Sequence, residues 1–115
     1  LEDRRGINRY GEATLPMDEA LVMCALDISG RSHLTFDAPI PSPKIGEFDS
    51  ELVEEFFAAF ARACAATVHF RKFSGTNSHH IAECCFKAFA RALSRAVWLD
   101  TARAGEIPSS KGTLI

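Results

Sequence analysis

The chain has 115 residues, of which 47% are hydrophobic and 24% are charged, and its formal net charge is -2 at pH 7. This composition is typical of one small globular domain, and the slight acidic excess argues against a protein that binds nucleic acid or anionic membranes. No apolar stretch approaches the roughly 18 residues that would span a bilayer, and residues 1–5 lack the apolar core of a signal peptide. We therefore expect a soluble, cytoplasmic protein without nucleic-acid or membrane partners.

Short apolar segments in the first half of the chain predict strands. Turn-forming residues separate them, and the turn at residues 29–32 predicts a hairpin between the two strands that flank it. Three prolines and a glycine within residues 39–46 exclude a helix or a central strand and predict a loop. The predicted strands are residues 12–16, 21–28 and 34–38.

The second half of the chain predicts two helices with a strand between them. Apolar residues at helical spacing predict a first helix over residues 50–65, and residues 66–73 predict a strand. Asn77 or Ser78 caps a second helix that extends to about residue 98. This order of elements predicts an α+β fold in which two helices cover one face of an antiparallel-dominated sheet.

The start of the second predicted helix carries the most informative motif, in which two histidines precede a glutamate. His79 is four residues and His80 three residues before Glu83, so on a helix both imidazoles flank one carboxylate. Two nitrogens and one oxygen can bind a divalent transition metal. Lys87 lies one turn beyond Glu83 on the side of the helix that carries His79, and there a cation could reach an anionic group of a metal-bound ligand. Alternatively, the histidines are simply exposed or capping residues.

Several basic and hydroxyl residues predict an anion site. Arg9 and Arg31 lie in glycine-containing turns, and the C-terminal segment combines Ser109 and Lys111 with a glycine. Hydroxyls, an accessible backbone and an ammonium group are typical of phosphate-binding loops, and together with Lys87 these cations could form a dianion pocket. The alternative is that the arginines are solvated and the tail is disordered, because sequence spacing does not show that these groups converge.

Four segments, in this order, resemble the imidazoleglycerol-phosphate dehydratase family: residues 6–11, 17–31, 79–93 and 108–112. The resemblance implies a ribosomal protein S5 domain 2-like α+β fold, in which two similar halves arise by internal duplication. It makes residues 1–115 a single domain corresponding to the C-terminal half. Within it, residues 1–11 would be a linker and first substrate-binding segment, and residues 105–115 a phosphate-binding tail. The first half of the family fold carries its own His-His-x-x-Glu-Asp motif, which this sequence lacks.

The same resemblance implies a metal-dependent hydro-lyase of histidine biosynthesis. Members of the family remove water from D-erythro-imidazole-glycerol phosphate and give imidazole acetol phosphate. The resemblance further implies manganese as the cofactor, with two ions in each complete active site, and a large homo-oligomer whose sites are shared between subunits. We therefore expect a phosphorylated imidazole substrate, and we expect this chain alone to hold an incomplete site.

The resemblance also implies roles for individual residues. Glu83 and Asp18 would transfer protons, and Glu55 lies where many members have a further ligand histidine. The implied metal ligands are His79, His80, Glu83 and, as a replacement for that histidine, Glu55. The implied contacts to the substrate phosphate are Arg9, Arg31, Lys87, Ser109 and Lys111.

Two other classes of function remain as alternatives. The chain could be a non-catalytic half-domain that binds metal or assembles, because the first ligand motif is absent. A nucleic-acid-binding domain is a further alternative, although the acidic balance argues against it. The eight phenylalanines within residues 48–89 are many for so small a core, so we expect some of them to contact another half-domain or subunit.

Overall fold

The structure, a computed structural model, describes residues 6–99. Neither helix in this range is long and apolar enough to cross a membrane. The elements in chain order are β1 (Tyr10–Met17), β2 (Ala20–Asp27), β3 (His33–Asp37), β4 (Lys44–Ile45), β5 (Phe48–Asp49), α1 (Glu51–Cys64), β6 (Thr67–Ser74) and α2 (Ser78–Ala96).

Four of these strands form one sheet in the order β1-β2-β6-β3. β1 pairs with β2 and β2 pairs with β6 in antiparallel fashion, whereas β3 runs parallel to β6. Along β2 buried residues alternate with partly buried ones, because successive side chains point to opposite faces of a strand and only one face meets the core. The predicted α+β fold with a mainly antiparallel sheet and two helices is confirmed.

The predicted hairpin between β2 and β3 is wrong, because β6 lies between these two strands. The chain does reverse direction at Gly30, which has a positive φ of 86°. However, the backbone nitrogens of Gly30 and His33 donate to the carbonyl oxygens of Ala65 and Ala66, at 2.9 and 3.1 Å. The connection between β2 and β3 is thus hydrogen-bonded to the segment that leads into β6. It spans the width of one strand, and β6 occupies the space between β2 and β3.

A second small sheet begins within residues 39–46, which were predicted to be a loop, and its second strand follows directly after them. β4 and β5 pair through Lys44–Asp49 and Ile45–Phe48 around Gly46, whose φ is 63°. Strands of two residues are too short to give an alternating pattern of apolar residues, so the sequence showed only the prolines, which predict a loop. The backbone nitrogen of Ser42 donates to Oγ of Ser78 at 3.0 Å, so this segment contacts the first residue of α2.

An aromatic cluster joins the sheet to both helices. Phe57 of α1 is fully buried, and its ring centroid lies 4.4 Å from that of Phe70 on β6. The rings of Phe86 and Phe89 on α2 lie 4.9 and 5.0 Å from Phe57. Other large apolar side chains remain exposed in the described part of the chain: Tyr10, Phe48, Leu52, Phe56, Phe73, Trp98 and Leu99.

α2 packs closely against β1, and this contact fixes where the two ends of the helix lie relative to the strand. Gly11 has no side chain, and a Cβ atom there would lie 1.9 Å from the carbonyl oxygen of Ala92. The backbone nitrogen of Arg9 donates to the carbonyl oxygen of Ala96 at 2.8 Å, so the end of α2 lies beside the start of β1. Because helix and strand run in opposite directions, the start of α2 lies beside the turn between β1 and β2.

Three of the four cysteines are buried. Cys24, Cys84 and Cys85 are buried, Cys64 is partly buried, and all four are free thiols. Burial raises the pKa of Cys24 and of Cys85 to about 12, so both remain protonated near neutral pH. A thiolate is the form that binds metal, so neither buried thiol is a candidate ligand.

Candidate functional site

The first turn of α2 is fixed by an asparagine cap. Asn77 has an extended backbone (φ -85°, ψ 118°), and its side chain accepts a hydrogen bond from the backbone nitrogen of His80 at 3.0 Å. This is the usual geometry of an N-cap, and it satisfies a backbone donor that has no partner within the helix. The prediction that Asn77 or Ser78 caps the helix is confirmed, with Asn77 in that position.

His79, Glu83 and Lys87 form a row along the exposed side of α2. Nε2 of His79 lies 3.0 Å from Oε1 of Glu83, and Nζ of Lys87 lies 3.3 Å from Oε2 of the same carboxylate. Both pairs have the i,i+4 spacing that places side chains next to each other on a helix. The row predicted from the sequence is therefore present, with the carboxylate between an imidazole and an ammonium group.

His80 does not join this row. The sequence predicted that both imidazoles flank Glu83, but the ring of His80 turns to the loop between β1 and β2, where Nδ1 lies 2.7 Å from Oε1 of Glu19. Nε2 of the same ring lies 3.6 Å from Oδ2 of Asp18. The reason is that a residue three positions before Glu83 lies to one side of the row, within reach of a carboxylate from another element.

Asp18 and Glu19 are the two residues of a tight turn between β1 and β2. Met17 and Ala20 are paired across the strands, so only Asp18 and Glu19 connect them. Asp18 has a φ of 52°, a left-handed conformation that is uncommon for residues other than glycine and that clusters at functional sites. The structure thus brings the predicted acid/base residue Asp18 next to the predicted metal ligand His80.

Glu19 is a site residue that the sequence interpretation missed. Its Oε2 accepts hydrogen bonds from the backbone nitrogens of Thr76 and Asn77 at 2.9 and 2.7 Å, while Oε1 contacts His80. The hydrogen bond with His80, followed by the backbone bonds, lowers the pKa of Glu19 to about 2. The same hydrogen bond raises the pKa of His80. The only signal in the sequence was the position of Glu19, directly after Asp18.

Arg9 lies at the opposite end of the β1–β2 hairpin from Asp18. Its Nε lies 2.6 Å from Oδ1 of Asp27 and its Nη2 lies 3.2 Å from Oδ2, which is a bidentate ion pair. This hydrogen bond to Asp27 is the main cause that raises the pKa of Arg9. The guanidinium also lies 5.0 Å from the ring centroid of Tyr10. Like Asp18, Arg9 has a positive φ, of 78°.

Arg31 lies at the same end of the sheet as Arg9. It lies just before β3, and its backbone nitrogen donates to Oγ of Ser29 at 3.1 Å. Its carbonyl oxygen accepts from Oγ1 of Thr67, the first residue of β6, at 3.2 Å. Its side chain is exposed. Ser109 and Lys111 lie outside the described residues. Of the predicted phosphate contacts, Lys87 is therefore the one that the described chain places beside His79 and Glu83.

Glu55 is exposed on α1. It lines a shallow groove with Glu51, Glu54 and Ala58, all of which belong to α1 itself. Its side chain makes no hydrogen bond or ion pair with another residue in the range 6–99. The structure therefore does not bring this predicted ligand to His79 or His80 within one chain.

The imidazole nitrogens and the carboxylate oxygens of this cluster suit a divalent cation, but residues 6–99 supply too few of them. Adjacent ligands of an octahedral ion, with bonds of about 2.1 Å, lie about 3 Å apart, and the 3.0 Å between His79 and Glu83 matches this spacing. His80 keeps Nε2 on the side away from Glu19. Within residues 6–99, however, no three His, Cys, Asp or Glu side chains converge closely enough to hold a metal ion. A metal ion bound here would need further ligands from outside these residues.

An apolar groove adjoins the His79–Glu83 pair. It is lined by Ile45 and Phe48 of the β4–β5 hairpin and by Ala82 and Phe86 of α2, with His79 and Glu83 among its lining residues. Apolar walls beside a carboxylate strengthen its electrostatic interactions once water is excluded. His33 and His69, in contrast, lie on β3 and β6 with ring centroids 5.4 Å apart, as strand residues outside this site.

Comparison with known proteins gives consistent matches. The family model described as imidazoleglycerol-phosphate dehydratase matches residues 1–93. The imidazoleglycerol-phosphate dehydratases of Prochlorococcus marinus (strain MIT 9313) and Xanthobacter autotrophicus are 57% and 58% identical over 114 residues, which are 99% of this chain and 54% and 58% of those proteins. The chain thus spans about half the length of the curated relatives it matches.

Solved structures give the same result. The crystal structure of the Staphylococcus aureus imidazoleglycerol-phosphate dehydratase superposes with a TM-score of 0.83 at 45% identity, covering 85% of this chain and 57% of that one. The Pyrococcus furiosus enzyme, solved in complex with (S)-C348, gives a TM-score of 0.79 at 38% identity and covers 94% and 58% of the two chains. These similarities extend over most of the elements described above.

Proposed function

This chain belongs to the imidazoleglycerol-phosphate dehydratase family, and from that premise we propose that it is part of a hydro-lyase of histidine biosynthesis. The proposed reaction removes water from D-erythro-imidazole-glycerol phosphate and gives imidazole acetol phosphate. The observation that carries the proposal is the family match over residues 1–93, which contains the His79, His80 and Glu83 cluster at the start of α2. A non-catalytic half-domain is not favoured, because the matched relatives are themselves named as dehydratases.

We propose that the cluster binds manganese in two positions. His79 and Glu83 are close enough to act as neighbouring ligands of one ion, whereas His80 faces the turn at Asp18 and would serve a second ion. Imidazole nitrogens and carboxylate oxygens are suitable ligands for Mn²⁺. When bound to the imidazole of the substrate, such an ion would stabilise the charge that develops as the C–H bond breaks.

The residues of this chain would then bind the substrate and move its protons. Asp18 is exposed, lies beside His80 and is the candidate proton-transfer group, and Glu83 is the second candidate. General acid/base catalysis of this kind typically contributes about 10²–10⁴ in rate. Lys87 would contact the phosphate, and phosphate contacts far from the reacting carbons fix the substrate geometry.

The separation of the arginines supports a site that is shared between copies of the chain. A strand of eight residues spans about 26 Å, and β1 separates Arg9 from the turn that holds Asp18. If Arg9 and Arg31 bind the phosphate of a substrate whose reacting carbons lie beside Asp18, they must belong to another copy in a homo-oligomer. Exposed apolar side chains such as Phe56 and Trp98 support such an assembly.

Free, buried cysteines support a reducing compartment, and we propose the cytoplasm.

The proposal can be tested with histidine variants of the complete protein. We expect His79→Ala to bind less Mn²⁺ and to lose at least about 100-fold in dehydration rate, measured with the phosphorylated imidazole substrate. His69→Ala is the matched control, because His69 is exposed on the sheet and lies outside the cluster. Its metal content and rate should stay within about twofold of the unsubstituted protein. Full activity of the His79 variant, or no dehydration by the unsubstituted protein with Mn²⁺, would contradict the proposal.

A further inference from the structure

We propose that Glu19 is a positioning residue that fixes both the orientation and the tautomer of His80, so that Nε2 of this ring is the atom available to a metal. This inference rests on the proposed function, because it concerns a ligand of the proposed metal site. Glu19 has no role in the motifs that the sequence offered, and it acts through His80.

The carboxylate of Glu19 is held at both oxygens. Oε2 accepts from the backbone nitrogens of Thr76 and Asn77 at 2.9 and 2.7 Å, and Oε1 lies 2.7 Å from Nδ1 of His80. The carbonyl oxygen of Glu19 also accepts a hydrogen bond from Oγ of Ser74 at 3.0 Å. These contacts tie the β1–β2 turn to the segment that leads into α2, so the carboxylate cannot rotate without breaking a hydrogen bond.

This arrangement determines which ring nitrogen of His80 carries the proton. An ionised carboxylate only accepts hydrogen bonds, so Nδ1 must donate to it. A neutral imidazole has one N–H, and the lone pair is then on Nε2. A carboxylate that holds one nitrogen of a metal-binding histidine is a common arrangement, since it orients the ring and makes the other nitrogen more basic.

His79 lacks a support of this kind in the described part of the chain. Its ion pair with Glu83 uses Nε2, and no residue within the range 6–99 forms a hydrogen bond with its Nδ1. The two adjacent histidines are therefore held differently, one by its own helix and one by a strand turn. A change at Glu19 should act on His80 and leave the His79–Glu83 pair in place.

Glu19→Gln tests the inference with almost no change in size. The site requires two acceptor oxygens, one for His80 and one for the backbone nitrogens, and an amide supplies only one acceptor together with a donor. If the amide nitrogen faces His80, the ring proton must move to Nε2. If the amide nitrogen faces Thr76 and Asn77 instead, its N–H groups oppose the backbone N–H groups of these residues, and neither side has an acceptor. The substitution thus reverses the tautomer or breaks the contacts that hold the turn.

Two measurements on the complete protein decide the matter. In the metal-free protein, long-range ¹H–¹⁵N correlation at a pH where the ring is neutral should show Nδ1–H for His80, and an Nε2–H tautomer would overturn the inference without any variant. Mn²⁺ titration should show about 10–100-fold weaker binding for Glu19→Gln. Ser74→Ala is the control, because it removes the hydrogen bond to the Glu19 carbonyl and keeps the carboxylate. Its affinity should change by less than about threefold.

The outcomes separate this inference from the proposed function. A Glu19→Gln variant that keeps the Nδ1–H tautomer and the original Mn²⁺ affinity overturns the positioning role, even if the enzyme dehydrates the substrate. Conversely, a protein with the expected tautomer and the expected loss of affinity, but with no dehydration of the substrate, supports the positioning role and contradicts the proposed reaction. A merely structural role for Glu19 would lower thermal stability and leave the tautomer unchanged.

Discussion

Gly11→Ala should destabilise the protein strongly, because β1 touches the backbone of α2 at this point. A Cβ atom at Gly11 would lie 1.9 Å from the carbonyl oxygen of Ala92 and 2.6 Å from the backbone nitrogen of Ala96. Ordinary contact begins at 3.4 Å, so the helix would have to move by about 1.5 Å within a close-packed interior. Both atoms belong to the backbone, so no side-chain rotation relieves the clash. We expect the free energy of unfolding to fall by about 3 kcal/mol, the upper end of the range for overpacked cores.

Gly46→Ala provides a control with the same chemical change. Gly46 has a φ of 63°, but no atom lies within 4 Å of a Cβ built there, so only the backbone conformation is strained. That strain should cost about 1 kcal/mol. Urea denaturation of both variants at one protein concentration, followed by circular dichroism, measures the difference. Because α2 carries His80, the Gly11 variant should also bind Mn²⁺ more weakly. Equal denaturation midpoints for the two variants would refute the steric argument.

Four further predictions concern the core, the thiols and the proposed metal. Phe57→Ala should lower the free energy of unfolding by about 3–5 kcal/mol in the same assay, since this ring is fully buried among other aromatic rings. Iodoacetamide at pH 9 should label Cys64 before Cys24 and Cys85, because the pKa of both buried thiols is raised to about 12. Peptide mass spectrometry measures the order of labelling, and the opposite order would contradict this prediction. Since these thiols ionise near 9.0 when unfolded, their burial should cost stability progressively as the pH rises from about 9 to about 12. Removing bound metal with a chelator should lower the melting temperature, and Mn²⁺ at about 100 times its Kd should restore about 2.7 kcal/mol; an unchanged melting temperature would argue against a metal that is bound mainly by the folded state.

Local periodicity was sufficient to predict the helical part of the site. His79, Glu83 and Lys87 are four residues apart, and on any helix such residues are neighbours. The asparagine before them predicted where the helix begins, and the structure confirms that cap. These features depend on a few adjacent residues, so they could be predicted without knowledge of the fold.

Contacts between distant residues could not be predicted in this way. Glu19 and His80 are 61 positions apart, and only the packing of α2 on β1 brings them together. The β2–β3 hairpin was predicted wrongly for the same reason, because the strand that separates them comes later in the chain. Such arrangements depend on strand order, which local patterns do not specify.

The different supports of the two histidines imply that they become ordered at different stages of folding. The His79–Glu83 pair needs only one turn of helix, and helices form within about 0.1–1 μs. The Glu19–His80 contact closes a long loop and must wait for the sheet to pair and for α2 to dock, which is slower because non-local contacts limit folding rates. A nascent chain would therefore present His79 and Glu83 of the proposed metal site early, whereas the full affinity of that proposed site would appear only when the tertiary structure is complete.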